Sequence, residues 1–494
     1  MKKEVTLPKQ IFATILFCVV IIGGLLIPIL IGKPQYKQTV ESVMFFAAVI
    51  VSLYIMLFTN KTWKDIFSSA TQSIKDAVPG MLIMLVIGPL IAGFIMSGLI
   101  PMMIYYGILM IKPTLIYTMS LLLPIIFSIF TGMSWGSIAT IGIVMMGVGS
   151  AIGANMGIVA GAVISGAYFG DKISPISAST NVTAMACKVN LYDHVGSMVW
   201  TTGPATLIGL IVYTICGFVF PPANANINTP TIAALLNDLS GMFHFNIFLL
   251  IPLVIVLYGS IRKKPAIPVL IVATAASFLI TGIFQDFSSA DILRAFNSGF
   301  KLNMVDWYTY SQPIEGEVYI LSYFERGGFW NFGNVVIIII TILFSVGVLK
   351  TIDAIPATMG TIFSKCKSRA SVIVASIFTG FLLIATTANG SACSFLEYEI
   401  WGKKYDELNI DRRVLSRTAE DTGTLLEIFM PWTPAGIFVA TTLGVSVAQY
   451  GIWTIVNWIT PFIAIFLGLT GIGTYKKLSA KKLAEKEVNE ATNN

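Results

Sequence analysis

Gly170-Asp171-Lys172-Ile173-Ser174-Pro175-Ile176-Ser177-Ala178-Ser179-Thr180-Asn181 directly follows a long apolar segment. It gathers an acid, a base, a proline and five hydroxyl or amide side chains in a chain otherwise suited to lipid. Polar and ionisable groups are costly at membrane depth, so they mark places where something is bound or moved. Pro175 prevents a continuous helix through the stretch. The reading that follows is a polytopic, all-α membrane protein with a transport site at this break.

Composition supports the membrane assignment. Hydrophobic residues make up 55% of the chain and charged residues 11%, against about 25% charge in soluble domains. The mean hydropathy is +0.81. Ile11 to Ile31 is a 21-residue run without a charge, enough to cross about 30 Å of hydrocarbon. It is too long for a signal-peptide core and reads as a retained span. The net charge of +6 does not indicate nucleic acid. Lys2, Lys3 and Lys9 precede the first apolar run, and Lys476, Lys477, Lys481, Lys482 and Lys486 follow the last. The positive-inside rule then places both termini in the cytoplasm of a cell-membrane protein.

Thirteen apolar runs are legible: 11–31, 40–59, 80–100, 114–130, 136–150, 153–169, 197–219, 245–261, 266–284, 333–349, 371–388, 423–443 and 450–472. Cytoplasmic termini need an even number of crossings, so a total of about 12–14 transmembrane helices is expected, with 101–112 or 389–402 as the further element. Asn60 to Asp76 reads as an amphipathic helix on the membrane surface. Asp286 to Asn331, with Glu315, Glu317, Glu325 and Arg326, is the longest polar connection.

The two halves carry comparable polar interruptions. Phe127-Ser128-Ile129-Phe130-Thr131-Gly132-Met133-Ser134-Trp135-Gly136-Ser137 precedes the Asp171 stretch. Ala385-Thr386-Thr387-Ala388-Asn389-Gly390-Ser391-Ala392-Cys393-Ser394 precedes Arg417-Thr418-Ala419-Glu420-Asp421-Thr422-Gly423-Thr424. Asp421 lies 421 − 171 = 250 residues after Asp171, and Thr386 lies 386 − 131 = 255 after Thr131. Such pairs point to internal duplication: two inverted repeats with broken helices at the midplane. The organisation expected is a 1–10 cytoplasmic N-terminus, an 11–220 first repeat, 221–332 linking helices and polar loop, a 333–472 second-repeat core and a 473–494 cytoplasmic Lys/Glu-rich tail. A broken helix frees backbone groups that lipid cannot satisfy but an ion or substrate can. The competing use of these glycines and serines is close helix packing.

Other chemistries find little support. Cys18, Cys187, Cys216, Cys366 and Cys393 are scattered without CxxC spacing, and His194 and His244 are far apart, so no disulfide or metal framework is expected. No HExxH or Walker pattern is present. A channel would call for a short repeated pore loop.

The chain resembles the NhaC family of sodium/proton antiporters at three places. These are Phe130-Thr131-Gly132-Met133-Ser134-Trp135-Gly136, the Gly170 to Asn181 stretch, and Ser416-Arg417-Thr418-Ala419-Glu420-Asp421-Thr422-Gly423-Thr424 running on to Pro431-Trp432-Thr433. The resemblance spans nearly the whole chain. It implies a cytoplasmic-membrane secondary transporter with inverted repeats and alternating access, exchanging H+ and/or Na+ for another solute. That family also takes in malate/lactate exchangers and amino-acid carriers. Members typically read Ser-Asp-Thr-Thr-Asn where this chain has Ser177-Ala178-Ser179-Thr180-Asn181, and Gly-Asp-Gln where it has Ala392-Cys393-Ser394. Loss of these acids favours the alternative of an H+- or Na+-coupled transporter of an amino acid or small carboxylate.

The expected site follows. Asp171 is the coupling carboxylate, where H+ and a cation compete. Ser174, Ser177, Ser179, Thr180 and Asn181 supply neutral oxygens or substrate hydrogen bonds, and Asp171, Thr180 and Asn181 are a possible Na+ set. Thr131, Ser134, Trp135, Asn389 and Ser391 belong to the breaks. Glu420, Asp421, Thr422 and Thr424 form the second acidic segment, where Arg417 either pairs with an acid or holds a substrate carboxylate. Glu397 and Glu399 stand i, i+2 and cannot share one helix face, so at most Glu397 or Glu399 reaches the site. No cofactor beyond the coupling ion is expected. The partners are a small ion or organic solute and the bilayer; a homodimer stays open.

Overall fold

The computed structural model of the chain describes residues 4–30, 36–223, 230–310, 321, 324–354, 357–358 and 366–474. The Lys/Glu-rich tail from 475, and Glu315 and Glu317 of the long connection, lie outside them. Among the described residues every regular element is helical. Eight helices are long and apolar enough to cross a membrane, and three bent pairs bring the number to eleven. Two shorter apolar helices, Leu7–Ile21 and Leu99–Met110, accompany them. The difference from the expected count of 12–14 lies in such short pieces and in Met156–Ile173. That helix lies inside a sheath of others along nearly its whole length and faces little lipid.

Asn60 to Asp76 is not a separate surface helix. It forms the first turns of a continuous 34-residue helix, Trp63–Met96, about 51 Å long at 1.5 Å per residue. Thr62 and Asp65 close a capping box at its start. Ile66, Ala70 and Ser73 are buried, and the Ser69 hydroxyl donates to the Gly347 carbonyl at 2.9 Å. The helix packs along Phe329–Lys350. Asp286 to Asn331 contains the helix Ser289–Ser298. Its Arg326 donates to the Thr442 carbonyl at 2.8 Å, tying the connection to the second half.

The two helix breaks have the same backbone conformation. Ile116–Thr131 ends at Gly132 (φ 60°, ψ 31°), Met133 is extended (φ −141°, ψ 102°), and a helix restarts at Ser134. Arg369–Thr387 ends at Ala388 (φ 50°, ψ 28°), Asn389 is extended (φ −147°, ψ 109°), and a helix restarts at Gly390. The separation is 388 − 132 = 256 residues. Helix starts repeat at the same interval: Met156 and Arg412, Ala178 and Pro434, Leu191 and Val447. So do the caps. Asn155 and Asp411 each accept from the amide two residues on, and Ser177 and Thr433 from the amide three residues on. The duplication is thus in register at 256, not 250 or 255. It pairs Thr131 with Thr387 and Asp171 with Glu427, not with Thr386 and Asp421.

The left-handed conformation at both breaks suits glycine, and an L residue there costs about 1–2 kcal/mol. A Cβ on Gly132 would also stand 2.8 Å from Ile176 Cγ1 and 2.9 Å from the Ser177 nitrogen. Gly132→Ala is expected to lower the melting temperature of the detergent-solubilised protein by several degrees. Ala388→Gly, which relieves the strain at the equivalent position, is expected to raise it.

Candidate functional site

Both breaks open onto one cavity of about 510 Å³. Its wall combines Pro79 to Ile87 of the long helix Trp63–Met96, the first break from Gly132 to Gly136, the second from Ala388 to Ser391, and the segments that follow Asp171 and Thr424. Each break exposes the first turn of a helix, whose free N–H groups give that end a partial positive charge. Asn389 satisfies part of this by accepting from the Ala392 amide at 2.9 Å. Trp135 stacks on Phe438 with ring centroids 4.8 Å apart, so an aromatic from the first half meets the second half at the wall.

Asp171 lies in the last turn of Met156–Ile173 and lines this cavity. It is only 7% exposed, and its Oδ1 has no hydrogen-bond partner. Ser134, at the start of the restarted helix, and Ser177, which caps Ala178–Ala186, stand beside its carboxylate. Ser177 Oγ also lies 3.1 Å from Ser179 Oγ. Of the residues expected at the site, Asp171, Ser134, Trp135, Ser177, Ser179, Asn389, Ser391 and Thr424 line the cavity.

The others lie elsewhere, for physical reasons. Ser174 donates to the Ile129 carbonyl at 2.8 Å, Thr180 to the Lys172 carbonyl at 3.1 Å, and Asn181 to the Pro175 and Ser177 carbonyls at 3.0 and 2.6 Å. They donate to carbonyls at and beyond the end of the broken helices. Asp171, Thr180 and Asn181 therefore do not form one Na+ cage in this conformation. Thr131 and Asn181 line a second chamber of about 370 Å³ with Lys263 and Lys264. Gly132, Met133 and Ala178 belong to the walls of both chambers.

Glu397, Glu420, Asp421 and Thr422 form a buried polar layer behind the cavity. Lys172 and Asp421 make an ion pair with both side chains fully buried, and Thr201 donates to Asp421 Oδ1 at 3.2 Å. Asp421 therefore pairs with Lys172 instead of Arg412, Arg413 or Arg417. Arg412 is engaged by Asp406, Arg413 by Asp411, and Arg417 donates to the Ser197 and Gly473 carbonyls. Glu420 Oε2 stands 3.9 Å from His194 Nε2, and Glu420 Oε1 accepts from Thr424 at 3.2 Å. Glu397 accepts from Thr422 Oγ1 at 3.2 Å and is fully buried, while Glu399 is exposed, as i, i+2 spacing requires.

Two acids in the cavity wall were not singled out from sequence: Asp76, exposed on Trp63–Met96, and Glu427. Glu427 is half-buried, and Tyr168 donates to its Oε1 at 3.2 Å. The 256-residue register, had it been found, points straight to Glu427. Its apolar setting, Leu425-Leu426-Glu427-Ile428-Phe429, was the other signal.

A sequence model of the Na+/H+ antiporter family matches residues 166–472. An uncharacterized Na+/H+ antiporter of Haemophilus influenzae is 34% identical over 447 residues, 90% of this chain and 94% of its own. The malate-2H+/Na+-lactate antiporter of Bacillus subtilis is 30% identical over 474 residues, 95% and 96% of the two chains. The Na+/H+ antiporter NhaC of Alkalihalophilus pseudofirmus is 30% identical over 470 residues, 94% and 98%.

Breaking a buried pair strands a charge, at a cost of about 3–5 kcal/mol, whereas replacing both partners by apolar residues can be nearly neutral. Lys172→Met alone is therefore expected to reduce the folded yield and melting temperature sharply. The double change Lys172→Met with Asp421→Leu should recover most of both, as read by size-exclusion chromatography and thermal melting.

Proposed function

This chain belongs to the Na+/H+ antiporter family, and from that premise we propose that it is a secondary antiporter of the cytoplasmic membrane. It exchanges H+ and/or Na+ for another solute by alternating access. The observation that carries the reading is Asp171, an almost fully buried acid with an unpartnered oxygen, in the wall of a cavity built by both helix breaks. An isolated buried carboxylate is unstable as a bare anion, so it holds a proton or a cation. A proton and Na+ compete for the same oxygens, and that competition couples the two fluxes. Ser134, Ser177, Ser179, Asn389, Ser391 and Thr424 supply the neutral oxygens around the passenger. The repeats run in opposite senses through the bilayer, and rocking of one against the other exposes the cavity to each side in turn, with both termini in the cytoplasm.

A second reading, in which the passenger is an organic solute, is favoured by the size of the site. A water molecule occupies about 30 Å³ in the liquid, so 510 Å³ far exceeds the needs of a bare ion. Ala178, in that wall, stands where the resembling antiporters carry an acid, which leaves room and removes a negative charge. The malate-2H+/Na+-lactate antiporter is a relative with a named carboxylate cargo.

The test is the purified protein in liposomes that enclose a pH-sensitive dye. Na+, malate, lactate and single amino acids are added in turn. Proton movement driven by at least one of them is expected. Asp171→Asn should cut that response to half or less while folding and melting as the wild type does. A full wild-type response in the variant would rule out Asp171 as a coupling group. A wild-type protein inert to every solute would rule out this antiport reading.

A further inference from the structure

We propose that Glu427 is a second cation-binding carboxylate, the counterpart of Asp171 in the other repeat, so that a full cycle carries a cation on each. The proposal rests on the reading of Asp171 above and extends it to a site that the 256-residue register exposes.

The two acids occupy the same place in their repeats. Asp171 lies 171 − 134 = 37 residues after the first residue of its restarted helix, and Glu427 lies 427 − 390 = 37 after the first of its own. Each is followed four residues later by a proline, Pro175 or Pro431, and six residues later by the hydroxyl that caps the next helix, Ser177 or Thr433. Each faces the start of its restarted helix. Asp171 meets Ser134, and Glu427 Oε2 lies 3.7 Å from the point where a Cβ on Gly390 would stand. Both line the cavity.

Charge balance separates this pair from the other buried acids. Asp421 pairs with Lys172, and Glu420 and Glu397 lie off the cavity wall. Among the described residues, neither Asp171 nor Glu427 has a lysine, arginine or histidine within ion-pair distance. The other groups facing them are the Tyr168 hydroxyl, Glu420 behind the wall and Asp76 in the wall, none of which is a cation. Helix N-termini stabilise anions only modestly, far less than the desolvation of a bare carboxylate costs. Asp171, buried without a protein counter-charge, takes a proton or a metal ion, and Glu427, half-buried in the same wall, is open to one. Tyr168, one helical turn before Asp171, donates to Glu427 Oε1 and so connects the two positions. Both carboxylates bind a proton from one side of the membrane and release it to the other, while Na+ competes for Asp171 alone and returns on it, so two protons move per Na+.

The experiment is the reversal potential of transport by the full chain in liposomes, which gives protons moved per Na+, or per malate where Na+ alone drives nothing. Glu427→Gln is expected to halve the ratio while melting as the wild type does. Glu427→Asp, which keeps the carboxyl group, is expected to retain the wild-type ratio. A Glu427→Gln protein with an unchanged ratio would overturn the proposal. So would a Glu427→Asp protein that loses as much as Glu427→Gln, since that would assign the side chain a packing role. A wild type without coupled proton movement would instead refute the antiport reading itself, before any variant is compared.

Discussion

The buried ion pair of Lys172 and Asp421 decides how the acids of this chain are used. It joins the end of Met156–Ile173 in the first repeat to Arg412–Gly423 in the second, with both side chains fully buried. Such a pair is tolerated when each charge meets its opposite. Thr201 also donates to Asp421 Oδ1, and Asp421 Oδ2 has no hydrogen-bond partner. Neighbouring residues on a helix point about 100° apart. With Lys172 committed to the layer behind the cavity, Asp171 is turned into the cavity itself. The pair also breaks the repeat symmetry, since the 256-residue register matches Lys172 with Ile428 and Asp421 with Ser165. One acid is paired within the protein, while Asp171 and Glu427, at matching positions, have no lysine, arginine or histidine within ion-pair distance among the described residues.

Around that pair the governing constraint is satisfaction of the backbone. A helix broken inside a membrane must find partners for its freed groups within the protein. Ser174 serves the Ile129 carbonyl at 2.8 Å, and Trp432 the Ala385 carbonyl at 2.7 Å. The polar side chains near each break thus divide into two groups. One group closes the fold, and the other faces the cavity with spare oxygens. The site is a remainder, made of the polar groups that the broken backbone does not consume.

This division explains how much was legible in the sequence. Composition and apolar runs suffice for an all-helical membrane protein, because lipid leaves few other solutions. The breaks at Gly132 and Ala388 were visible as clusters of small and polar residues, and Asp171 as an acid at the end of an apolar run. Ser174, Thr180 and Asn181 were read as ligands, because a hydroxyl that serves a carbonyl and one that serves an ion look alike in sequence. Asp421 drew attention through its neighbour Glu420 and its match of motif, while its partner Lys172, 249 residues away in the chain, could not be guessed from spacing. Glu427 was passed over because a single acid among Leu425, Leu426, Ile428 and Phe429 carries no motif. Its meaning came from the equal backbone conformations at the two breaks, which fix the register.

The most direct test of Asp171 as the cation-carrying acid is infrared difference spectroscopy of the purified protein, loaded with Na+ or malate against unloaded. A change in the protonated-carboxyl band on loading is expected in the wild type, and a smaller one in Asp171→Asn. Identical carboxyl signals from the two proteins would contradict the assignment.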